Sequence, residues 1–283
     1  MPIDKLNNYF IHCLYMDVVS RLHLNETPFR ISPDPRFLFL SDQVREAIAK
    51  CEYMTRNRIG PLYIYGPIGS GKTSILRRLH ETLREDPEYR VSTLIAANIK
   101  TSNAFLRIIM EEFGVKTARA YDRSLRNFEE FLIEQYEAGI VPILLIDEAQ
   151  NMGRDTLRLI HYLLNFETTK AKLLQIVLVG QEELATRILR YRELASRMFP
   201  IAINAMSPDE LQRMIEFRWM VAGGTTPPLS PEAYEALFAF TKGLPRDAVK
   251  LCDEALRHIV ANNQNVISSA DIEVTASSLN LTR

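Results

Sequence analysis

With 283 residues the chain can hold one large domain or two smaller ones, and 47% apolar with 24% charged residues is the balance of a soluble globular protein. Its net charge of −1 excludes a surface that is basic everywhere, so any nucleic-acid contact has to come from a local patch. The three cysteines, Cys13, Cys51 and Cys252, are scattered and lack metal-ligand spacing, which excludes a zinc site and a disulfide framework and fits a reducing compartment.

In chain order, Tyr9 to Leu24 is an apolar or amphipathic lead, suited to packing on the body of the protein or to docking on a neighbour. Its Tyr9–Met16 portion, interrupted by His12 and preceded only by Lys5, makes a poor signal peptide, and Met16 is an alternative start. No run approaches the roughly 20 apolar residues of a membrane helix, so the expected location is the cytoplasm, without membrane contact. Five apolar, β-branched-rich runs follow: Leu62–Tyr65, Val91–Ala97, Val141–Ile146, Leu174–Val179 and Ile201–Ile203. Little alternation marks the second, third and fourth, as expected for strands buried on both faces of a parallel sheet. Helical-period segments separate the runs: Thr73–Arg84, Ser102–Phe113, Leu125–Glu137, Thr156–Phe166 and Glu182–Tyr191. Such alternation predicts an α/β fold, a three-layer sandwich around a five-stranded parallel sheet.

After Asn204 the strand pattern stops. Ser207-Pro208-Asp209-Glu210 reads as a capping box with proline at the first helical position, opening a helix to Val221 that Gly223 and Gly224 terminate. Ser230-Pro231-Glu232 starts another helix, Leu244–Val260 a third and Ala270–Leu279 a fourth, which predicts a C-terminal helical bundle.

The chemistry concentrates at Gly66-Pro67-Ile68-Gly69-Ser70-Gly71-Lys72-Thr73, which reads G-x-x-x-x-G-K-T directly after an apolar strand. Glycines there let backbone N–H groups and the positive end of a helix converge on one phosphate. Lys72 would reach the β- and γ-phosphates of ATP, Thr73 would place its hydroxyl on Mg²⁺, and Ser74 completes the expected loop contacts. The run Val141-Pro142-Ile143-Leu144-Leu145-Ile146 ends in Asp147-Glu148. Asp147 suits a hydrated Mg²⁺, which takes one or two carboxylates beside phosphate oxygens, and Glu148 suits the polarisation of a water for in-line attack. Gln181, after the fourth run, is placed to sense the γ-phosphate or simply to cap a helix. Arg190, Arg192 and Arg197 precede the fifth run, where an arginine reaches a neighbour's phosphate or forms a solvated helix end; Arg197 is the preferred finger. Gly243-Leu244-Pro245-Arg246 opens a bundle helix, and Arg246 there can fold over the nucleotide. An Asn-Lys-x-Asp guanine-reading motif is absent.

Within residues 100–126, between the second and third runs, Lys100, Arg107, Lys116, Arg119, Arg123 and Arg126 stand against Glu111, Glu112 and Asp122, a local excess of three positive charges. Lys100, Thr101, Ser102 and Asn103 begin one helix, and Lys116, Thr117 and Arg119 lie in the loop after it. Both groups carry donors suited to phosphate oxygens of double-stranded DNA without reading bases; an ordinary solvated helix face is the alternative.

These residues together resemble the AAA+ ATPases, in their ExeA/TnsC-like branch of secretion ATPases and transposition regulators. The specific match is Pro28-Phe29-Arg30-Ile31-Ser32-Pro33-Asp34-Pro35-Arg36-Phe37-Leu38-Phe39-Leu40-Ser41 with Arg45-Glu46-Ala47, continued by Asp147-Glu148-Ala149-Gln150, Gly180-Gln181-Glu182-Glu183-Leu184, Arg197 and Gly243-x-Pro245-Arg246. It covers roughly residues 27 to 260, with Gln181 departing from the commoner Asn, Ser or Thr sensor. The resemblance implies an N-terminal extension over 1–26, an AAA+ α/β core over 27–205 and a helical lid over 206–283. Secretion members typically continue into a membrane segment and a peptidoglycan-binding domain, neither of which is present here. The resemblance thereby implies a stand-alone cytoplasmic ATPase that forms a ring or helical filament on DNA and serves a transposase or target-selection protein. A secretion or cell-envelope ATPase acting on a protein, and a slow ATP-switch signalling module, are the rival expectations.

Overall fold

The computed structural model describes residues 18–31, 34–96 and 101–282. Lys100, Ser32, Pro33, Cys13 and the Tyr9–Met16 segment lie outside the described residues. Two compact units divide the chain: one takes residues 42–68 and 72–204, the other the described residues of 1–41, Gly69–Gly71 and 205–282.

The first of these units is a parallel five-stranded sheet in the order β2-β3-β4-β1-β5. Its strands are β1 (Leu62–Tyr65), β2 (Tyr89–Ile95), β3 (Val141–Asp147), β4 (Gln175–Gly180) and β5 (Phe199–Ala202). Helices α1 (Asp42–Arg56) and α2 (Lys72–Arg84) cover one face, where Ala47, Cys51, Ile75 and Leu79 pack on Ile64, Ile143, Leu145 and Val177. On the other face lie α3 (Ser102–Glu112), α4 (Tyr121–Glu137), α5 (Arg154–Leu163) and α6 (Glu182–Arg190), which bury Phe105, Phe128, Ile160 and Ile188 on Tyr63, Leu144, Ile146 and Leu178. Alternate residues of β3 thus feed opposite cores, and all of its side chains and those of β4 are buried. The three-layer α/β expectation holds.

One detail differs. The second run was expected to be buried on both faces like the third and fourth, yet β2 is an edge strand with Arg90 and Ile95 exposed. Chain order misleads here, because the sheet places β1 between β4 and β5 and pushes β2 outward. Helix bounds match to within a few residues, except that α4 begins at Tyr121, four residues before the first expected position.

In the second unit, α8 (Pro208–Val221), α9 (Pro231–Thr241), α10 (Pro245–Ala261) and α11 (Ser269–Ser278) bury Leu211, Ile215, Trp219, Leu237, Leu256 and Ile272 in one core. The capping box is present: Ser207 Oγ accepts from Glu210 N–H at 3.3 Å, and Glu210 Oε2 accepts from Ser207 N–H at 3.0 Å. The N-terminal lead-in belongs to this unit rather than to the α/β sheet, so the compact division departs from an α/β core beginning at residue 27. The physical reason is Arg218 on α8. Arg218 is 9% exposed, and its guanidinium donates to Pro28 O at 3.1 Å, Arg30 O at 2.9 Å and Phe37 O at 3.2 Å and stacks over the Phe37 ring. Phe29, fully buried, meets Trp219 from the same helix. Burial pushes the Arg218 guanidinium down to about 10, the expected direction for a desolvated cation.

Replacing Arg218 by Ala leaves three backbone carbonyls without their donor and opens a cavity, a loss of about 3 kcal/mol. Urea unfolding is expected to show that loss, and trypsin to cut at Arg30 and Arg36 in the variant before the parent is touched. An unchanged midpoint and an unchanged cleavage pattern would show that the lead-in is held by something else.

Candidate nucleotide site

The strand order decides where the site lies. β4 sits between β1 and β3, so the C-terminal ends of these three strands share one sheet edge, the edge at which open α/β sheets bind ligands. Tyr65 pairs with Gly180 and Ile95 with Asp147, and the Gly66 loop, the Asp147-Glu148 pair and Gln181 follow directly from those strand ends.

Gly66 continues the pairing of β1 with the β5 edge, since Ile203 N–H donates to Tyr65 O at 2.8 Å. A Cβ at residue 66 would stand 2.0 Å from Ile203 O, an impossible contact with backbone. Gly69 and Gly71 are glycine for a different reason, with φ of 84° and 94°. Beyond Gly71 there is open space, since an added Cβ meets nothing within 4 Å. Pro67 is half-buried and Ile68 59% exposed, so the tip of the loop faces outward. Ser70 and Lys72 are buried, Thr73 and Ser74 half-buried at the start of α2. The Lys72 ammonium donates to Gly66 O at 2.9 Å and Pro67 O at 2.6 Å, which curls the cation back over its own loop.

On β3, Asp147 is 8% exposed and its Oδ1 accepts from Glu148 N–H at 2.8 Å. Glu148 takes φ 53° and ψ 32°, a left-handed conformation uncommon for a side-chain-bearing residue. That turn sends the chain into a short 3₁₀ segment, Ala149–Asn151, and brings Gln150 back beside its neighbour: Gln150 Nε2 donates to Glu148 Oε2. Gln181 is the N-cap residue of α6, without a side-chain cap bond, and its N–H donates to Gln150 Oε1 at 3.0 Å. In the sequence Gln150 stands only as the last residue of Asp-Glu-Ala-Gln, with nothing to mark a role. Its geometry depends on the left-handed turn at Glu148, which periodicity does not show.

Arg197 is exposed between the short helix α7 (Arg192–Ala195) and the edge strand β5, and its guanidinium donates to Asn165 Oδ1. Asn165 was not singled out. Arg190 and Arg192 are exposed as well. Arg246 lies in the same compact unit as Gly69–Gly71, and its backbone N–H donates to Gly69 O at 3.2 Å.

The two groups of phosphate-type donors are anchored separately. Thr101 is exposed and caps α3 by accepting from Ala104 N–H at 3.2 Å, while Ser102 Oγ donates to Asp155 O at 2.8 Å. Lys116 and Arg119 are exposed on the 113–120 loop, with Thr117 half-buried between them. Asn127 donates to Lys116 O at 3.3 Å and Arg107 to Ala118 O at 3.0 Å, which pins this loop along α3 and α4.

Residues 56–188 match the family model described as an AAA domain. Over that span the chain is similar to AAA domains, and its sheet and flanking helices have the AAA+ P-loop fold. Over 260 residues it is 31% identical to General secretion pathway protein A of Aeromonas hydrophila, an alignment covering 89% of this chain and 47% of that protein. The chain thus spans about half the length of that relative. Cdc6p of Pyrobaculum aerophilum shares the fold with a TM-score of 0.65 at 17% identity, covering 89% of this chain and 69% of that one. A chain of Drosophila ORC bound to DNA does so with a TM-score of 0.62 at 18% identity, covering 84% and 61%. Among the described residues, no helix is long and apolar enough to cross a membrane.

The residues at this edge fit a Mg²⁺–nucleoside triphosphate. Gly69 and Gly71, both at positive φ, can turn N–H groups toward an anion, with open space beyond Gly71, and Asp147 with the Thr73 hydroxyl would supply the hard oxygens that Mg²⁺ takes. Lys72→Ala removes the buried cation from the loop, and calorimetry is expected to show ATP affinity falling at least about tenfold, the equivalent of one charge-assisted hydrogen bond. Equal affinity in parent and variant would mean that the triphosphate binds elsewhere.

Proposed function

We propose that the protein is an ATP- and Mg²⁺-dependent AAA+ regulator that hydrolyses ATP slowly, assembles as a ring or helical filament on double-stranded DNA, and recruits or activates a transposase or target-selection protein there. The cytoplasm is its place of work. The observation carrying this reading is the convergence on one sheet edge of a glycine-rich loop, an Asp-Glu pair and Gln181, the parts needed to bind a triphosphate and respond to its terminal phosphate.

The loop N–H groups of Gly66–Thr73 and the Lys72 ammonium would hold the phosphates, with Ser74 closing the loop contacts and Arg246 adding a further cation. Mg²⁺, held by Thr73 and Asp147, would supply charge neutralisation between the outer phosphates. Glu148 orients a water and takes its proton; Gln181 reports whether the terminal phosphate is present. Arg197, exposed beside the edge strand, would reach the nucleotide of an adjacent subunit and make assembly depend on the phosphate state. DNA is the preferred cargo because Thr101, Lys116 and Arg119 are exposed, with Lys100, Ser102 and Thr117 completing the two groups. A fold shared with an ORC chain bound to DNA adds to that preference.

A secretion-type reading, in which a protein takes the place of DNA, is favoured by the 31% identity to General secretion pathway protein A. Binding to labelled duplex DNA across a salt series separates the two. ATP-dependent binding that weakens steeply with salt is expected, with Lys116→Ala and Arg119→Ala each lowering the slope by about one counterion. Salt-insensitive or absent binding would transfer the proposal to a protein cargo. Glu148→Gln is expected to keep ATP and DNA binding and to arrest disassembly; a variant that disassembles as fast as the parent would overturn the switch.

A further inference from the structure

Gln150 occupies a position that its own burial does not explain. It is 8% exposed, and both ends of its amide are used. Oε1 accepts from the backbone N–H of Gln181 at 3.0 Å, and Nε2 donates to Glu148 Oε2. Only one orientation of the amide satisfies both partners, because a backbone N–H cannot accept and an ionised carboxylate cannot donate. The bridge therefore has a fixed polarity and runs from the end of β4 to a carboxylate at the end of β3.

Two backbone features exist to make room for it. Glu148 adopts its left-handed conformation, φ 53° and ψ 32°, two residues before the amide that bonds its own carboxylate. Gly180 has no side chain where one would collide: a Cβ there would stand 2.6 Å from Gln150 Oε1 and 3.1 Å from Gln150 N. A left-handed Glu carries a backbone cost, and the glycine leaves room both for this amide and for Leu184 Cδ2, 3.0 Å from the same position.

We propose that Gln150 is a positioning residue that couples the Gln181 end of β4 to the aim of the Glu148 carboxylate. Movement of the Gln181 backbone on meeting a terminal phosphate is transmitted through one rigid amide to the group that orients the water. This inference rests on Glu148 acting as the base. It assigns to Gln150 no contact with the nucleotide.

The test is a set of single-turnover hydrolysis rates, paired with analogue affinities, for the parent, Gln150→Met, Gly180→Ala, Glu148→Gln and the Glu148→Gln/Gln150→Met double variant. Methionine keeps the buried volume and loses both hydrogen bonds; Gly180→Ala displaces the amide from the opposite side and stands in if Gln150→Met does not fold. Both single variants are expected to slow the rate between about tenfold and a hundredfold, as for a misaimed catalytic group, while analogue affinity stays within about twofold, the split that marks a transition-state effect. In the Glu148→Gln background, Gln150→Met is expected to add nothing further. Parent-like rates in both single variants, beside a slow Glu148→Gln, would overturn the coupling and leave the base intact. The full Gln150→Met loss persisting in the double variant would equally overturn it. A Glu148→Gln rate equal to the parent would overturn the base assignment and the coupling with it.

Discussion

No side chain can exist at residue 66, because Ile203 O lies 2.0 Å from where its Cβ would be. The site depends on that contact. It forces the chain leaving β1 to pass directly under the end of the β5 segment, and so fixes where the loop begins its turn and where α2 starts. The loop that starts there carries positive-φ glycines at 69 and 71 and ends at the buried Lys72. The sheet order completes the arrangement. Because β4 lies between β1 and β3, Gln181 emerges between the loop and the acidic pair, and Gln150 links its backbone to Glu148.

A second constraint operates within the other unit. Arg218 brings its buried cation to three backbone carbonyls, and so makes the lead-in around Phe29 and Phe37 part of the same core as the C-terminal helices. Residues about 180 to 190 apart in the chain are thereby held as one body. The C-terminal unit also includes Gly69–Gly71, through the bond from Arg246 N–H to Gly69 O.

Much of this could be read from residue patterns, for reasons that are local. The strands at 62–65 and 141–147, the capping box at Ser207 and the G-x-x-x-x-G-K-T loop each carry their signal within a few residues. What escaped is long-range or depends on an unusual backbone angle. The edge position of β2 is a matter of strand order, to which periodicity is blind, and its mixed exposure appears only once β1 is placed between β4 and β5. Arg218 reads as one more charge on an amphipathic helix, since its partners are carbonyls that carry no residue-type signal. The bridge from Gln150 to Glu148 requires a left-handed residue that nothing in Asp-Glu-Ala-Gln announces. The polar donors Thr101 and Ser102 and the charges of Lys116 and Arg119 are legible by residue type, but the separate anchorage of their two segments on Asp155, Arg107 and Asn127 is not.

In the proposed function, the phosphate state at Gly66–Thr73 governs assembly on DNA. Sedimentation velocity of the purified protein with labelled duplex DNA, in a non-hydrolysable ATP analogue and then in ADP, tests it most directly. Co-sedimentation of many subunits with DNA in the analogue, and single subunits separated from DNA in ADP, is the predicted result. The same single-subunit species in both nucleotides, with DNA sedimenting alone, would contradict it.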